Sequence, residues 1–234
     1  MSRGVNGLLT KTFGGRDYRL RLRSKQEVTD RYLRLGFEAG GLLADHPVHP
    51  TQWVRLWFPR GDGKLQQRAY TLLNQRPDDD AFDIEFALHG GPASQWATGA
   101  EPGDEIEATM LGSKFKMPDP TPPEFLLFGD TASLPAINTL LDAIGDTPTR
   151  IWLEWQFETD QELPVRANAS TPVTWLERTN DGQLMREAAA EVRCDAEAYV
   201  WIACDALSTR AMGRSVRDNN GVPKSRMVAK GYWR

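Results

Sequence analysis

Cysteine and histidine are scarce in this chain of 234 residues, which has two cysteines and three histidines. Cys194 and Cys204 are too few for a disulfide framework or a cysteine-rich metal centre. His46 and His49 lie in the segment DHPVHP without an evident third ligand, so no metal site is predicted. No arrangement of serine, histidine and acid stands out either, so we assign no side chain as a catalytic acid, base or nucleophile.

Long apolar runs and an excess of positive charge are also missing. No stretch approaches the ~20 apolar residues of a membrane-spanning helix, and the first segment, MSRGVNGLLTKTFGG, lacks the apolar core of a signal peptide. The net charge of -4 argues against nucleic acid as a partner but allows an anionic small molecule in a local basic pocket. The sequence therefore predicts a cytoplasmic protein that contacts neither nucleic acid nor membrane.

Apolar and polar residues alternate in the first half of the chain. In RDYRLRLR, Tyr18, Leu20 and Leu22 fall on one face of an extended strand. Similar segments are separated by clusters of glycine, proline and aspartate: RYLRLGFE, TQWVRLWFP, RAYTLL, FDIEFALHG and DEIEATML. This pattern predicts an antiparallel sandwich or barrel over residues 1–119.

The proline-rich stretch KMPDPTPPEF ends this rhythm, and we place a domain boundary at residues 119–120. FLLFG then reads as a parallel strand buried on both faces. Asp130 or Thr131 is expected to cap the following helix and Gly145 to end it. Strands and helices alternate up to the last residue, which predicts a doubly wound parallel sheet over residues 120–234. We expect a ligand site between the two domains.

The segment HGGPAS follows the predicted strand FDIEFAL. Its glycines allow the backbone to approach a ligand closely, and Pro92 suits the first turn of a helix. The amides of Ala93 and Ser94 would then point outward at a helix N-terminus, a place suited to phosphate. The alternative is an ordinary turn followed by a capped helix.

The segment RAYT carries a second candidate binding element. Arg68 offers a fork of donors for a phosphate, Tyr70 a flat face for a ring, and Thr71 a hydroxyl for a ring heteroatom. The alternative is a strand with one solvated arginine, since tyrosine and threonine favour strands. A ring- and phosphate-binding element beside a phosphate-binding turn is what a flavin nucleotide needs.

Five segments carry a resemblance to a known family: RAYTLLN, DIEFALHGGPASQWATGAEPGDEIE, LLFGDTASLPAI, YVWIACDA and GYWR. From about Tyr18 to the last residue, the chain resembles the siderophore-interacting proteins, a branch of the ferredoxin-reductase-like flavoproteins. The resemblance implies a six-stranded flavin-binding β-barrel followed by an NAD(P)H-binding α/β domain. It also implies reduction of ferric siderophores in the bacterial cytoplasm, with release of ferrous iron.

The resemblance implies FAD as the flavin. In this reading, the RAYT residues hold the ring and a phosphate, and the HGGPAS residues line the path of the ribityl chain and pyrophosphate. By analogy with the wider reductase class, an aromatic residue of the last motif lies near the ring. The implied flavin contacts are Arg68, Tyr70, Thr71, His89, Gly91, Pro92, Ala93, Ser94 and Trp233.

The second domain departs from the family pattern. In GDTASLPA, Thr131 replaces the usual acid and Ser133 the usual alanine, and no GxGxxG fingerprint is present. This helix start is still expected to meet NADPH or NADH, with ferredoxin as an alternative donor. Cys204, where the family has glycine, either narrows the nucleotide site or is a buried thiol. The implied nucleotide contacts are Asp130, Thr131, Ala132 and Ser133.

Siderophore complexes are often anionic, so a basic lining is expected. Arg55 matches a position where relatives carry a basic residue, Lys114 follows the last barrel strand, and Arg234 ends the final motif. We predict these three as siderophore contacts, although each alone also fits a solvated surface charge. One helix face bears Arg210, Arg214 and Arg217. This face is either solvated or positioned for the 2′-phosphate of a nucleotide.

The sequence thus predicts a monomeric, NAD(P)H-dependent flavin reductase of ferric siderophores. One alternative is a siderophore- or flavin-binding protein with weak or no reductase activity, which the altered GDTASLPA and WIACDA segments leave open. The other is a general flavin or ferric-chelate reductase with no preference for siderophores.

Overall fold

The alternating strands of the first half form one curled antiparallel sheet. A computed structural model describes residues 15–234 and divides the chain into two units, Met1–Lys116 and Met117–Arg234. In the first unit the strand order is β4-β3-β7-β1-β2-β6-β5. The strands are β1 (Arg16–Thr29), β2 (Tyr32–Glu38), β3 (Trp53–Pro59), β4 (Leu65–Thr71), β5 (Leu73–Arg76), β6 (Ala81–Ala87) and β7 (Glu105–Met110).

The two edges of this sheet are joined by the chain itself. Strands β4 and β5 lie at opposite edges, yet only Leu72 separates them in sequence. The sheet must therefore curl into a half-barrel. The sequence pattern predicts a single strand in RAYTLL, but Leu72 leaves the strand to donate its N–H to the carbonyl of Gln52 (2.8 Å). The resulting break gives seven strands in the part of this unit that the structure describes, where six were expected.

Among the described residues of the first unit, two short α-helices accompany the half-barrel, α1 (Leu42–Asp45) and α2 (Pro92–Gly99). Trp96 anchors α2 on the apolar core, because its ring stacks on Phe37 (centroids 6.4 Å apart) and meets Phe58 edge-on (5.8 Å). At the other end of α2, the ammonium of Lys25 donates to the carbonyls of Thr98 and Ala100. The core and a cation on β1 thus hold this helix in place.

The second unit is a five-stranded parallel sheet, as the alternation of strands and helices predicts. Its order is β10-β9-β8-β11-β12, and the pairs in it are parallel. Its strands are β8 (Phe125–Asp130), β9 (Thr149–Trp155), β10 (Val173–Glu177), β11 (Tyr199–Ala203) and β12 (Met227–Ala229). Its helices are α3 (Leu134–Ile144), α4 (Gln183–Glu191) and α5 (Ala206–Asn220).

Helix α3 begins later than the sequence suggests. The predicted caps, Asp130 and Thr131, are wrong, because the helix starts at Leu134 with Ser133 as its N-cap residue. Asp130 instead closes the preceding turn, where its Oδ1 accepts the N–H of Ser133 (2.9 Å). Gly145 ends the helix as predicted. Within residues 15–234, no helix is long and apolar enough to cross a membrane.

Candidate functional site

In the first unit, residues 89–94 form a turn whose backbone suits an anion; we call it the amide turn. Gly90 adopts a left-handed conformation (φ 69°) that favours glycine, and Pro92 opens α2. The N-cap residue Gly91 supplies no side-chain cap, and the first helical turn has no acidic residue. The N–H groups of Ala93 and Ser94 therefore have no intrahelical acceptor and are available to a phosphate.

His89 is the first residue of the amide turn and contacts its later residues. Its own N–H donates to the hydroxyl of Ser94 (3.0 Å), which ties the end of β6 to the start of α2. A Cβ at position 91 would lie 3.1 Å from His89 Cε1 and 3.3 Å from Nδ1. Glycine at 91 thus lets the imidazole lie against the backbone of the turn.

The predicted RAYT element packs against the strand that precedes the amide turn. Tyr70, near the end of β4, packs its ring against Phe86 of β6 (4.4 Å) and edge-on against Phe58 (5.9 Å). Phe86 lies three residues before His89, so the RAYT motif packs against the strand that leads into the amide turn. Burial raises the pKa of the Tyr70 hydroxyl above its ordinary value, which keeps it protonated and able to donate. Thr71 is buried at the end of the same strand.

Arg68 is exposed on β4 and carries an unneutralised charge. Its Nη1 donates to the carbonyl of Gln67 (2.8 Å), and no carboxylate in residues 15–234 lies within ion-pair distance of it. A guanidinium without an acidic partner suits the recognition of phosphate. Arg68, Tyr70 and the amide turn are the parts of the predicted flavin site, and we call them together the flavin cradle.

Arg55 is a second cation without an acidic partner in the described part of the chain. It stacks over the ring of Trp53 (4.4 Å) and donates to the carbonyl of Leu111 (2.9 Å). Partial burial lowers the pKa of its guanidinium. The N–H of Trp53 bonds the hydroxyl of Ser113 (3.0 Å), so the loop that carries the exposed Lys114 is fixed beside β3. Two of the three predicted siderophore residues therefore share one region, whereas Arg234 is exposed in the second unit.

The carboxyl ends of the parallel strands carry an interlocked set of polar side chains. The Nε1 of Trp233 donates to Asp130 Oδ2 (2.6 Å), and Arg178 stacks over the Trp233 ring (4.6 Å). Arg178 Nη1 also contacts Glu154 Oε2 and lies 3.4 Å from Asp205 Oδ2. We call these residues the carboxyl-edge cluster: Asp130, Glu154, Arg178, Asp205 and Trp233.

Two carboxylates of this cluster, Glu154 and Asp205, pair with the Arg178 guanidinium, and Asp130 interacts with its charge. Burial raises the pKa of Asp130, against the hydrogen bonds from Trp233 and Ser133. Burial likewise raises the pKa of Glu154 and outweighs the hydrogen bond from Arg178. For Asp205, the hydrogen bonds from Ser208 and the charge of Arg178 prevail over burial, so its pKa is lowered. Glu154 Oε1 is buried and has no hydrogen-bond partner.

The predicted nucleotide contacts divide into two pairs. Asp130 and Ser133 are buried and bonded to each other, whereas Thr131 is half-buried and Ala132 exposed. Cys204 is a buried thiol of the core; burial raises its pKa to about 12, and its Sγ lies 3.4 Å from Thr209 Oγ1. Trp233, predicted beside the flavin ring, bonds to Asp130 in its own unit.

Sequence reasoning did not identify Glu154, Arg178 or Asp205. A signal was available, because each of them lies at or just after the end of an apolar, strand-like segment, in WLEW, WLER and WIACD. Polar residues at the carboxyl ends of parallel strands point to the edge where ligands bind in open α/β sheets.

A curled antiparallel sheet followed by a parallel α/β sheet is the architecture of the ferredoxin-reductase-like flavoproteins. The chain belongs to the siderophore-interacting protein family. Residues 8–111 match the siderophore-interacting FAD-binding domain, and residues 122–234 match the siderophore-interacting protein domain. The predicted family and fold class are confirmed.

Three similar proteins illustrate the match. The mycobactin import ATP-binding/permease protein IrtA of Mycolicibacterium smegmatis is 35% identical over 239 residues; the match covers all of this chain but 28% of that protein. The ferric vibriobactin reductase ViuB of Vibrio cholerae is 25% identical over 71% of this chain and 64% of its own. The crystal structure of the siderophore-interacting protein SipS from Aeromonas hydrophila has a TM-score of 0.80 at 22% identity, covering 94% of this chain and 92% of SipS.

Proposed function

We propose that this protein reduces ferric siderophores in the cytoplasm with bound FAD, takes electrons from NAD(P)H and releases ferrous iron. The observation that supports the proposal is the flavin cradle, which combines an uncapped helix start, an arginine without an acidic partner in the described residues, and an aromatic ring, all in the domain that matches an FAD-binding family. The family membership and the name of the ferric vibriobactin reductase support the substrate class.

The residues of the cradle suit FAD. The free amides of Ala93 and Ser94 would hold its pyrophosphate, with Arg68 as the neutralising cation. Gly91 keeps the backbone approachable, Tyr70 offers a ring face, and Thr71 offers a hydroxyl to the ring system. FAD supplies both two-electron and one-electron chemistry when it is bound. The protein contributes binding, orientation and electrostatics.

Arg55 and Lys114 would attract the anionic ferric complex. Arg55 suits this role because its guanidinium is held by Trp53 and Leu111 yet has no acidic partner within residues 15–234. A half-buried cation without a counter-ion is electrostatically costly unless an anion binds. Arg234 is the third proposed contact. The iron arrives chelated, so no protein ligand to iron is required.

Anaerobic electron transfer tests this proposal directly. The FAD-loaded protein is mixed with NADH, NADPH or reduced ferredoxin, and a ferric siderophore is then added with a ferrous chelator. We expect the flavin absorbance to bleach and then to recover as the ferrous chelate forms. A flavin that no donor bleaches, in a protein that still binds the siderophore, would leave only the binding-protein alternative.

The substrate class is tested with one variant pair. Arg55→Gln should weaken siderophore binding, whereas Arg60→Gln, an exposed arginine in the turn between β3 and β4, should not. Equal rates with ferric siderophores and with simple ferric chelates such as citrate would instead favour the general ferric-chelate reductase.

A further inference from the structure

Positive charge is concentrated in the last part of the chain. Residues 206–234 contain seven lysines and arginines but one acid, Asp218, so their side chains carry a net charge of +6. Because the whole chain has a net charge of -4, residues 1–205 carry -10. The seven cations, which we call the basic face, are Arg210, Arg214, Arg217, Lys224, Arg226, Lys230 and Arg234.

The segments that carry these cations pack together at one edge of the parallel sheet. β12 is the edge strand, and a Cβ added to Gly213 of α5 would lie 3.3 Å from the Cβ of Ala229 on that strand. The N–H of Ala206, at the start of α5, donates to the carbonyl of Trp233 (2.9 Å). Arg234 therefore lies beside the start of the helix, and the charge separation in the sequence is also a separation in space.

The exposed side of α5 aligns a leucine with two arginines. Leu207, Arg210 and Arg214 follow the spacing i, i+3, i+7, and all three are exposed, Leu207 to 75%. The opposite side of the helix is buried on the sheet, with Met212 and Val216 in the core. The helix is thus held by its apolar side and presents the arginines to solvent.

The two arginines have no acidic partner in the described part of the chain, unlike arginines of the first unit. On β1, Arg19 lies 3.5 Å from Glu105, and Arg23 lies 2.7 Å from Glu38. Arg210 and Arg214 have no carboxylate within ion-pair distance among residues 15–234. Their charges therefore add to a positive field that extends into solvent and attracts an anionic partner.

The composition of this side of α5 favours a lipid surface as the partner. The core of a protein interface is rich in aromatic residues and methionine, whereas the exposed large apolar side chain of α5 is Leu207. An anionic bilayer requires no shape complementarity, because the attraction grows with the number of lysines and arginines near it. A bilayer also accepts an apolar side chain below its headgroups, which a nucleic-acid backbone does not.

We propose that the basic face docks this protein on an anionic membrane surface, where Arg210 and Arg214 contact the lipid phosphates and Leu207 reaches below the headgroups. The expectation that the protein contacts no membrane considered apolar runs and net charge, and neither reveals a surface of this kind. The inference does not depend on the proposed function, because it concerns the second unit and requires no flavin.

Co-sedimentation of the full chain with lipid vesicles tests the inference. The vesicles contain equal parts of phosphatidylglycerol and phosphatidylcholine, or phosphatidylcholine alone. At an ionic strength of about 0.15 M we expect binding to the anionic vesicles to be about tenfold or more tighter, and about 1 M salt should release the protein. Equal binding to both kinds of vesicle, or binding to neither, would overturn the inference.

Two double variants separate the basic face from the net charge of the chain. Arg210→Gln with Arg214→Gln should weaken binding to anionic vesicles about tenfold or more. Arg19→Gln with Arg23→Gln changes the net charge equally but removes arginines that face acids, so it should retain most of the binding. These four side chains are exposed, and circular dichroism checks that both variants fold. Equal weakening in both would contradict the assigned surface.

The leucine has its own matched pair of variants. Leu207→Ser should weaken binding to anionic vesicles about threefold or more, because an apolar side chain is lost from the lipid interface. Val48→Ser removes another exposed apolar side chain, in the first unit, and should leave binding unchanged. Unchanged binding in Leu207→Ser would overturn the role assigned to this residue.

Other anionic partners give a different result. Binding to duplex DNA or to an acidic protein such as ferredoxin, without binding to anionic vesicles, would overturn the lipid assignment even if Arg210 and Arg214 were required for it. Reduction of ferric siderophores would stand in that case, because its test follows the flavin absorbance and uses no vesicles. Conversely, a protein that holds no flavin but binds anionic vesicles would retain the docking surface alone.

Discussion

Arg68 allows flavin binding to be tested separately from folding, because its side chain is exposed. It is exposed, and its guanidinium contacts only the neighbouring Gln67 carbonyl and Gln66 side-chain amide in the described structure, so Arg68→Ala should change the free energy of unfolding by less than about 0.5 kcal/mol. Loss of the cation for the FAD pyrophosphate should weaken FAD binding about tenfold or more. The quenching of flavin fluorescence during titration of the apoprotein measures this.

The control for that experiment is Arg60→Ala. Arg60 is also exposed and pairs weakly with Asp62 (3.6 Å), but it lies in the turn at the opposite end of β4. Its removal should leave FAD affinity unchanged. An unchanged affinity in Arg68→Ala as well would exclude Arg68 from the flavin cradle.

Asp205 gives a residue-scale prediction that depends on pH. Its Oδ1 caps α5 by accepting the N–H groups of Leu207 (3.0 Å) and Ser208 (2.9 Å). Its folded-state pKa is lowered, so the ionised form stabilises the protein above the unfolded-state pKa. That stabilisation is lost as the pH falls through the folded-state pKa.

Asp205→Asn keeps a capping oxygen but cannot ionise. We expect it to lower the free energy of unfolding by about 1 kcal/mol at neutral pH, and the difference from the unmodified protein should shrink toward about pH 3. Urea unfolding at both pH values measures the difference. Asp130 and Glu154, whose pKa values are raised, act with the opposite sign but occur in both proteins. A difference that stays constant with pH would refute the assigned role of the charge.

Helix α2 is the element on which the flavin cradle depends, and Lys25 holds its far end. The ammonium donates to the carbonyls of Thr98 and Ala100, where a cation also interacts favourably with the helix dipole. Lys25→Met should lower the free energy of unfolding by about 0.5–1 kcal/mol and also weaken FAD binding, whereas Lys25→Arg should retain most of both. Thermal unfolding and FAD titration of the two variants test this. Unchanged FAD affinity in Lys25→Met would show that α2 needs no such support.

At the scale of elements, periodicity in the sequence predicted the strands and helices well, but not where they begin and end. Leu20 and Leu22 alternate with arginines because one face of β1 is buried, and that signal is local. The break at Leu72 depends on a hydrogen bond to Gln52, a distant residue, and no local pattern encodes it. The start of α3 was misplaced for a similar reason, since Asp130 serves the turn and Trp233 rather than the helix.

At the scale of the whole molecule, each unit has its own apolar core, and the proposed flavin contacts of the cradle lie in the first. We therefore expect two unfolding transitions, of which FAD stabilises the one that belongs to Met1–Lys116. Free FAD at about 100 times its Kd should add about 2.7 kcal/mol to that transition. Differential scanning calorimetry with and without FAD measures it. A shift of the other transition alone would place the flavin elsewhere.

The parts of the proposed flavin cradle could be recognised in the sequence because they are local motifs, and their role stays a prediction. Residues 89–94 form a continuous turn, and Arg68, Tyr70 and Thr71 lie close together on one strand. The carboxyl-edge cluster was not predictable in the same way. Glu154, Arg178 and Asp205 follow three different strands, and only the order of the parallel sheet brings them together.

The most direct test of the account is the visible absorption spectrum of the purified protein, followed by identification of the cofactor released on denaturation. The account predicts a yellow protein with the two-banded spectrum of a flavin, and FAD in the supernatant. A colourless protein that takes up neither added FAD nor FMN would contradict the flavin cradle and, with it, the proposed reduction of ferric siderophores.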